Sequence, residues 1–399
     1  MRINVLSLVV VFGLAVGFAA AQGWEPSTPL PAPRYSGAAV ALGGRIYYIG
    51  GSVMGGEKTN TVFVYDTATA AWSEAETLKT ARHRFGAAEL DGKIYVFGGW
   101  GNGGVLLQSV ECYDTATGHW SYIETLPGGR ASVFSGATIF GGHRVWCTGG
   151  WTGAQALSEN LAFDPATGHW QAHASMPTAL GEGMCASDGQ ALYCAGGTPN
   201  GGAPVATFLI YDAMYDEWYT GWPDMPAARM AGVGLSDGDV WIIGGVLADG
   251  TTTTVNEETD YHRVWREDDP IPEPRRFLAG CIVPPDSSGG LGHFFIIGGL
   301  DSLLQPVATV WRGFVPLGVE EKLALPVHHG GGASIVRAGM KLEAPVGAGA
   351  VGTMVEANGR VAAVVRSGST CPAVPAGLYV IRWQAPGAVV TSRAVIMVR

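Results

Sequence analysis

The sequence predicts an all-β fold, a six-bladed β-propeller followed by a small β-sandwich, and three observations carry that prediction. A double glycine recurs six times at even spacing, an aromatic–aspartate–tryptophan set recurs in register with it, and the composition suits tightly turned sheets. Of 399 residues, 60 are glycine, 47% are hydrophobic and only 15% are charged. The glycines follow no Gly-X-Y period and lie within apolar segments, which excludes a collagen-like chain and argues against a disordered tract.

Double glycines stand at Gly50-Gly51, Gly98-Gly99, Gly149-Gly150, Gly196-Gly197, Gly244-Gly245 and Gly298-Gly299, separated by 48, 51, 47, 48 and 54 residues. That period fits a blade of about 50 residues. Each pair ends a strand of aromatic and branched residues, such as Ile46-Tyr47-Tyr48-Ile49 or Trp241-Ile242-Ile243. A strand of small residues precedes it, for example Gly86-Ala87-Ala88, usually introduced by an arginine. After each pair comes a loop and a third strand ending in Tyr65-Asp66, Tyr113-Asp114, Phe163-Asp164 or Tyr211-Asp212. An aspartate there starts a turn by accepting backbone N–H groups two residues on. Six residues after each aspartate, Trp72, Trp120, Trp170 or Trp218 opens a fourth strand. Its large apolar body is suited to packing between blades. Four antiparallel strands per unit make a propeller blade.

These residues resemble the Kelch-repeat family, the galactose-oxidase-like propeller, over roughly residues 24–315. Two units depart from the pattern. In the fifth, Asp260-Tyr261 falls only a few residues before Trp265; the sixth has Trp311 in place of the tyrosine and no tryptophan strand after it. The donor of that strand is expected at the N-terminus. Trp24-Glu25-Pro26-Ser27 precedes Arg34 by the distance that separates Trp72 from Arg82 and Trp120 from Arg130. Residues 22–28 are therefore expected to form the outer strand of the last blade and close the ring.

The domain reading is a signal peptide at 1–21, a propeller at 22–317 and a β-sandwich at 318–399. Arg2, the apolar run from Val5 to Phe18 and Ala19-Ala20-Ala21 supply the charged start, core and cleavage site of an export signal. The run is short of the ~20 residues that span a bilayer, and no later stretch is long and apolar enough. The C-terminal segment holds short apolar runs separated by Gly/Pro-rich turns. Its runs Gly359-Arg360-Val361 and Gly377-Leu378-Tyr379-Val380 and the strand ending at Arg399 resemble sorting domains of type IX secretion cargo. The resemblance implies a bacterial outer-surface or secreted location and a contact with that secretion machinery. Among the six cysteines, Cys185 and Cys194 flank one turn at Asp188-Gly189 and are the most plausible pair, with free buried thiols as the alternative throughout.

The formal charge of −10 argues against a nucleic-acid partner, which would require a basic surface. No catalytic or metal-binding constellation emerges, and no cofactor is expected. His119 and His169 share one turn position, His328-His329 lie in a Gly-rich linker, and His-x-His, Cys-x-x-Cys and Gly-x-Ser-x-Gly are absent. Asp237-Gly238-Asp239 reads as a hairpin turn and Glu257-Glu258 as a solvated loop face. Copper oxidases of the Kelch-type propeller need a cysteine-linked tyrosine, two histidines and a second tyrosine, a set that cannot be assembled here. The remaining signal is a row of arginines at the starts of the inner strands: Arg34, Arg82, Arg84, Arg130, Arg229, Arg275 and Arg276. Residues at equivalent blade positions converge on one mouth, so Arg34, Arg82, Arg84, Arg130, Arg229 and Arg275 are the candidate ligand-binding set for an acidic saccharide or peptide. The alternative is that they bond to carbonyls and carboxylates of neighbouring blades and hold the ring together. The function expected is an exported binding or scaffold protein recognising a protein or saccharide at the propeller mouth. The alternative is a carbohydrate-active enzyme, such as an oxidase, epimerase or sialidase-like hydrolase, on the same propeller.

Overall fold

The computed structural model describes residues 23–259, 263–284 and 292–314, together with the backbone of five later strands. The first strand, β1 (Glu25–Ser27), joins the last blade. Blade 1 is β2 (Ala38–Leu42), β3 (Arg45–Ile49), β4 (Val62–Asp66) and β5 (Ala71–Glu74). Blade 2 is β6 (Gly86–Leu90), β7 (Lys93–Phe97), β8 (Ser109–Asp114) and β9 (His119–Thr125). Blade 3 is β10 (Phe134–Thr138), β11 (Arg144–Thr148), β12 (Asn160–Asp164) and β13 (His169–His173). Blade 4 is β14 (Met184–Ser187), β15 (Ala191–Ala195), β16 (Phe208–Asp212) and β17 (Glu217–Tyr219). A two-residue ladder, β18 (Arg229–Met230) with β21 (Val246–Leu247), accompanies blade 5, which is β19 (Val233–Ser236), β20 (Val240–Ile243), β22 (Asn256–Thr259) and β23 (Trp265–Glu267). Blade 6 is β24 (Ala279–Val283), β25 (His293–Ile297), β26 (Val310–Phe314) and, outermost, β1.

Every blade is antiparallel, and its small-residue first strand lines the axis while the bulky second and third strands face the neighbouring blades. The apolar core is accordingly six layers between blades. One joins blades 1 and 2 through Val64, Ile94 and Trp120; another joins blades 6 and 1 through Phe295, Ile46 and Tyr65. The remaining four interfaces carry equivalent clusters. Closed this way, the sheets leave no interblade face open to solvent.

The repeated residues each perform one local task. Oδ1 of Asp66 accepts the N–H groups of Ala68 and Thr69 at 3.0 and 3.1 Å, and Asp114, Asp164 and Asp212 accept from Ala116, Ala166 and Met214 at 2.8–3.0 Å. Four of the blade tryptophans donate across blades: Trp72 to the Thr28 carbonyl at 2.9 Å, Trp120 to Glu76 at 3.0 Å, Trp218 to Ala174 at 2.7 Å and Trp265 to Pro223 at 3.0 Å. Trp24 makes the equivalent bond to Asp269 at 3.0 Å, across 245 residues of sequence. With β1 paired to β26 over Glu25–Ser27 and Val310–Arg312, the first and last strands of the propeller share one sheet.

The second glycine of each pair donates its N–H to the residue that introduces the next blade. Gly51 bonds to Arg82, Gly99 to Arg130, Gly150 to Leu180, Gly197 to Arg229, Gly245 to Arg275, and Gly299 returns to Arg34, all at 2.7–3.0 Å. The first glycine must then lie against the same carbonyl. A Cβ at Gly196 would stand 2.1 Å from the Arg229 oxygen, and the φ there is +60°, so glycine is required on both counts.

In the C-terminal segment, β27 (Ala333–Val336), β28 (Val351–Glu356), β29 (Val361–Arg366), β30 (Gly377–Gln384) and β31 (Ser392–Val398) pair in the order β27-β31-β30-β28-β29, with β27 parallel to β31. These described strands form a single sheet; the rest of the expected sandwich, Cys371, the His328-His329 pair and the expected signal segment lie outside the described residues. No helix among the described residues is long and apolar enough to cross a membrane.

Candidate functional site at the axial mouth

The arginines that introduce the blades lie in the walls and not in the opening. Arg82 and Arg229 are fully buried, Arg130 and Arg275 are 3% exposed and Arg34 is 8% exposed. Arg82 donates to the carbonyls of Gly98 (2.9 Å) and Ser109 (3.1 Å), to Ser109 Oγ (2.8 Å) and to Glu111 (2.6 Å). Glu111, itself fully buried, also accepts the N–H groups of Lys79 and Thr80 at 2.6 and 3.1 Å. Arg229 pairs with Glu257 and donates to the carbonyls of Ile242 and Val255 at 3.1 and 3.2 Å. Burial raises the Glu257 carboxyl and lowers the Arg229 guanidinium, each partly offset by the other's charge. Arg130 pairs with Glu159 at 2.6 Å and Arg275 with Glu273 and Thr309. Arg34 has no carboxylate and lies 5.4 Å over the Phe63 ring, which occupies the register position that Glu111 takes in blade 2. A guanidinium buried in the wall and bonded within its own blade does not face a ligand in the opening, so these five are not the mouth set expected from the sequence. Glu257 likewise is a buried strand residue where a solvated loop face was expected.

Two residues further along, each blade does reach the axis. Ser36, Arg84, Ser132, Glu182, Ala231 and Phe277 all have left-handed backbone, with φ between 51° and 58°. Their main chains close a ring of six hydrogen bonds: Arg84 N–H to Ser36 carbonyl, Ser132 to Arg84, Glu182 to Ser132, Ala231 to Glu182, Phe277 to Ala231 and Ser36 to Phe277, at 2.7–3.0 Å. Non-glycine residues occupy that region of φ at some cost, here offset by bonds that no strand could supply at the axis.

Around the ring, small and large side chains alternate. Ser36, Ser132 and Ala231 come from the odd blades, while Arg84, Glu182 and Phe277 come from the even ones and meet one another. Arg84 forms an ion pair with Glu182 and its guanidinium carbon lies 4.2 Å from the Phe277 ring centroid. The Arg84 side chain is 29% exposed and that of Glu182 19%, so of the six expected ligand-binding arginines Arg84 alone is partly open on the axis.

Flanking this trio, Nδ1 of His83 lies 2.8 Å from Ser52 Oγ. Burial, reinforced by the charges of Arg84 and Lys58, holds the His83 imidazole down at about 4, so it is neutral at pH 7. Ser52 is fully buried, which closes its oxygen to a substrate despite the histidine beside it. The first strands line a cavity of about 520 Å³, walled by Ala39, Ala88, Ser135, Ser187, Gly234 and Gly280, with Glu89 and Asp91 at the turn away from the trio. Among the described residues no group of three or more His, Cys, Asp or Glu side chains could hold a metal ion.

The sequence model of the KLHDC2/KLHL20/DRC7 Kelch-repeats domain matches residues 19–197. That match spans somewhat less than half of the chain and, together with the six-bladed fold, supports a Kelch-type propeller. Among solved structures, the propeller here is similar to the structure of YjhT, with a TM-score of 0.57, 17% identity, and coverage of 71% of this chain and 96% of that one. At that identity the likeness concerns the fold. No curated protein matches the chain.

The sequence carried two signals that were not read. In three blades the introducing arginine is followed 28 or 29 residues later by its glutamate partner, Arg82 by Glu111, Arg130 by Glu159 and Arg229 by Glu257. The axial position is always two residues after the introducing one, and there the blades stop agreeing.

Proposed function

We propose that this chain is an exported binding module whose ligand seats on Arg84, Glu182 and Phe277 at the axial mouth. A Kelch propeller suits a binding or scaffold role, and Kelch propellers commonly bind proteins. The observation that carries the reading is the contrast between neighbouring positions. Where the ring needs a residue, as at the double glycines, tryptophans and turn aspartates, the blades repeat it. At the axial position, packing asks only for alternating size, yet the three large residues are a cation, an anion and an aromatic ring. Arg84 offers a guanidinium suited to a carboxylate, set over an aromatic ring and already holding one carboxylate, so an acidic group of a peptide or saccharide is the ligand feature it fits.

Export rests on the apolar run Val5–Phe18 and the small residues Ala19–Ala21, and surface sorting on the C-terminal resemblance. Fusing residues 318–399 to a passive reporter in a host with the type IX pathway tests the latter: the reporter should appear outside the outer membrane, and periplasmic retention beside an exported control cargo would count against it. For the mouth, a 12-residue random peptide display library and an array of acidic glycans are offered to immobilised protein. Ligands retained by the wild type should be lost on Arg84→Ala and Phe277→Ala and kept on Asp91→Asn, at the far end of the axis. Retention on both mouth variants would place the site elsewhere.

A further inference from the structure

The blades share a packing rule at one cross-strand position, and blade 4 breaks it with sulfur. In blades 1, 2, 5 and 6 a small residue of the inner strand faces a large one of the second strand: Ala39 opposite Tyr48, Ala87 opposite Val96, Gly234 opposite Ile242 and Gly280 opposite Ile296. In blade 3 the pair is Ser135 and Cys147. In blade 4 it is Cys185 and Cys194, directly opposed in the β14–β15 ladder, with their sulfurs 3.9 Å apart. Both residues are small, so the volume that a tyrosine, valine or isoleucine fills in blades 1, 2, 5 and 6 is here shared by two thiols already in contact.

We infer that Cys185 and Cys194 are the site of a cross-strand disulfide, formed when the chain folds in an oxidising compartment. Directly opposed antiparallel residues have Cα atoms about 4.5–5.5 Å apart, within the range that a disulfide spans, so closing the 3.9 Å between the sulfurs calls on side-chain rotation. All five described cysteines are free thiols, and Cys112, Cys147 and Cys281 are buried without a second cysteine opposite them in the ladder. The roles of the two sulfurs differ. Cys185 is partly exposed and borders the axial cavity, whereas Cys194 is 2% exposed and burial raises its thiol well above the ordinary range. Cys185 is therefore the entry sulfur. Its thiolate attacks a small disulfide such as oxidised glutathione, forming a mixed disulfide and releasing one thiol. Cys194 then gives up its proton and attacks the Cys185 sulfur, releasing the second thiol. Two protein thiols are oxidised by two electrons and one external disulfide is reduced to two thiols.

The test is refolding of the denatured, reduced full chain in a glutathione redox buffer, followed by alkylation under denaturing conditions and intact-mass measurement. Of six cysteines in the sequence, four should take up the alkylating agent, and digestion should yield one cross-linked peptide pair joining Cys185 to Cys194. The Cys185→Ala variant should refold to the same circular dichroism spectrum with five alkylated thiols. Folded wild-type protein with six alkylated thiols, or with Cys185 joined to any other cysteine, would overturn the inference.

Discussion

A buried guanidinium is tolerated when its donors are met, and Arg82 meets them with two carbonyls, a hydroxyl and a carboxylate that is itself bonded to two backbone N–H groups. Removing one member leaves the other charge buried and unpaired, which costs about 3–5 kcal/mol. Arg82→Met is accordingly expected to lower the unfolding free energy by that amount in denaturant titration, and Arg82→Met with Glu111→Leu to recover a large part of it. A double variant no more stable than the single one would show that the pair's partners are bonded otherwise. His83 makes a second prediction at this scale. Folded, it stays neutral down to about pH 4; unfolded, it takes a proton below its ordinary 6.5. Between those values the unfolded chain binds more protons, so the His83 contribution is full above about pH 6.5 and is lost as the pH falls towards 4. From pH 7 to pH 5 the wild type should lose more melting temperature than His83→Gln, by roughly 2–5 °C. Equal losses would mean the imidazole is solvated.

At the scale of elements, the outer strand of blade 6 is three residues long and holds the ring shut through disparate contacts. β1 pairs with β26, Glu25 meets Arg312 at 2.8 Å, and Trp24 both donates to Asp269 and packs in the blade 5–6 layer. Trp24→Phe should cost about 1 kcal/mol for the lost bond. Deletion of residues 23–27 exposes the edge of β26 and should lower the melting temperature by roughly 10 °C or more; an unchanged melt would show that the ring does not depend on this strand. Elements of this kind were legible in the sequence because their determinants are local. Asp66 starts its turn with the next three residues, and the Trp24-to-Arg34 interval copies that of Trp72 to Arg82. The partners of the arginines were not legible in the same way, because Glu111 and Glu257 look like solvent-facing charges until a neighbouring strand and blade cover them.

Over the whole molecule, six interblade layers and six glycine-to-carbonyl bonds place one residue from each blade at the mouth, with its backbone fixed and its side chain unconstrained beyond size. The periodicity that revealed the ring also hid the proposed site, since repetition marks what the fold requires and the axial trio lies where repetition ends. Arg82 and Arg84 state the difference within one turn: the first is fully buried in its blade, the second crosses to Glu182 and Phe277 of two other blades. The most direct test is to measure melting temperature and binding of a wild-type-selected acidic peptide or glycan in parallel on Arg84→Ala and Arg229→Met. Arg84→Ala should melt within a few degrees of wild type and bind at least tenfold more weakly, whereas Arg229→Met should melt far lower and, below its melting point, bind as wild type does. An Arg84→Ala protein that binds unchanged while Arg229→Met loses the ligand at full stability would contradict the assignment of the axial mouth.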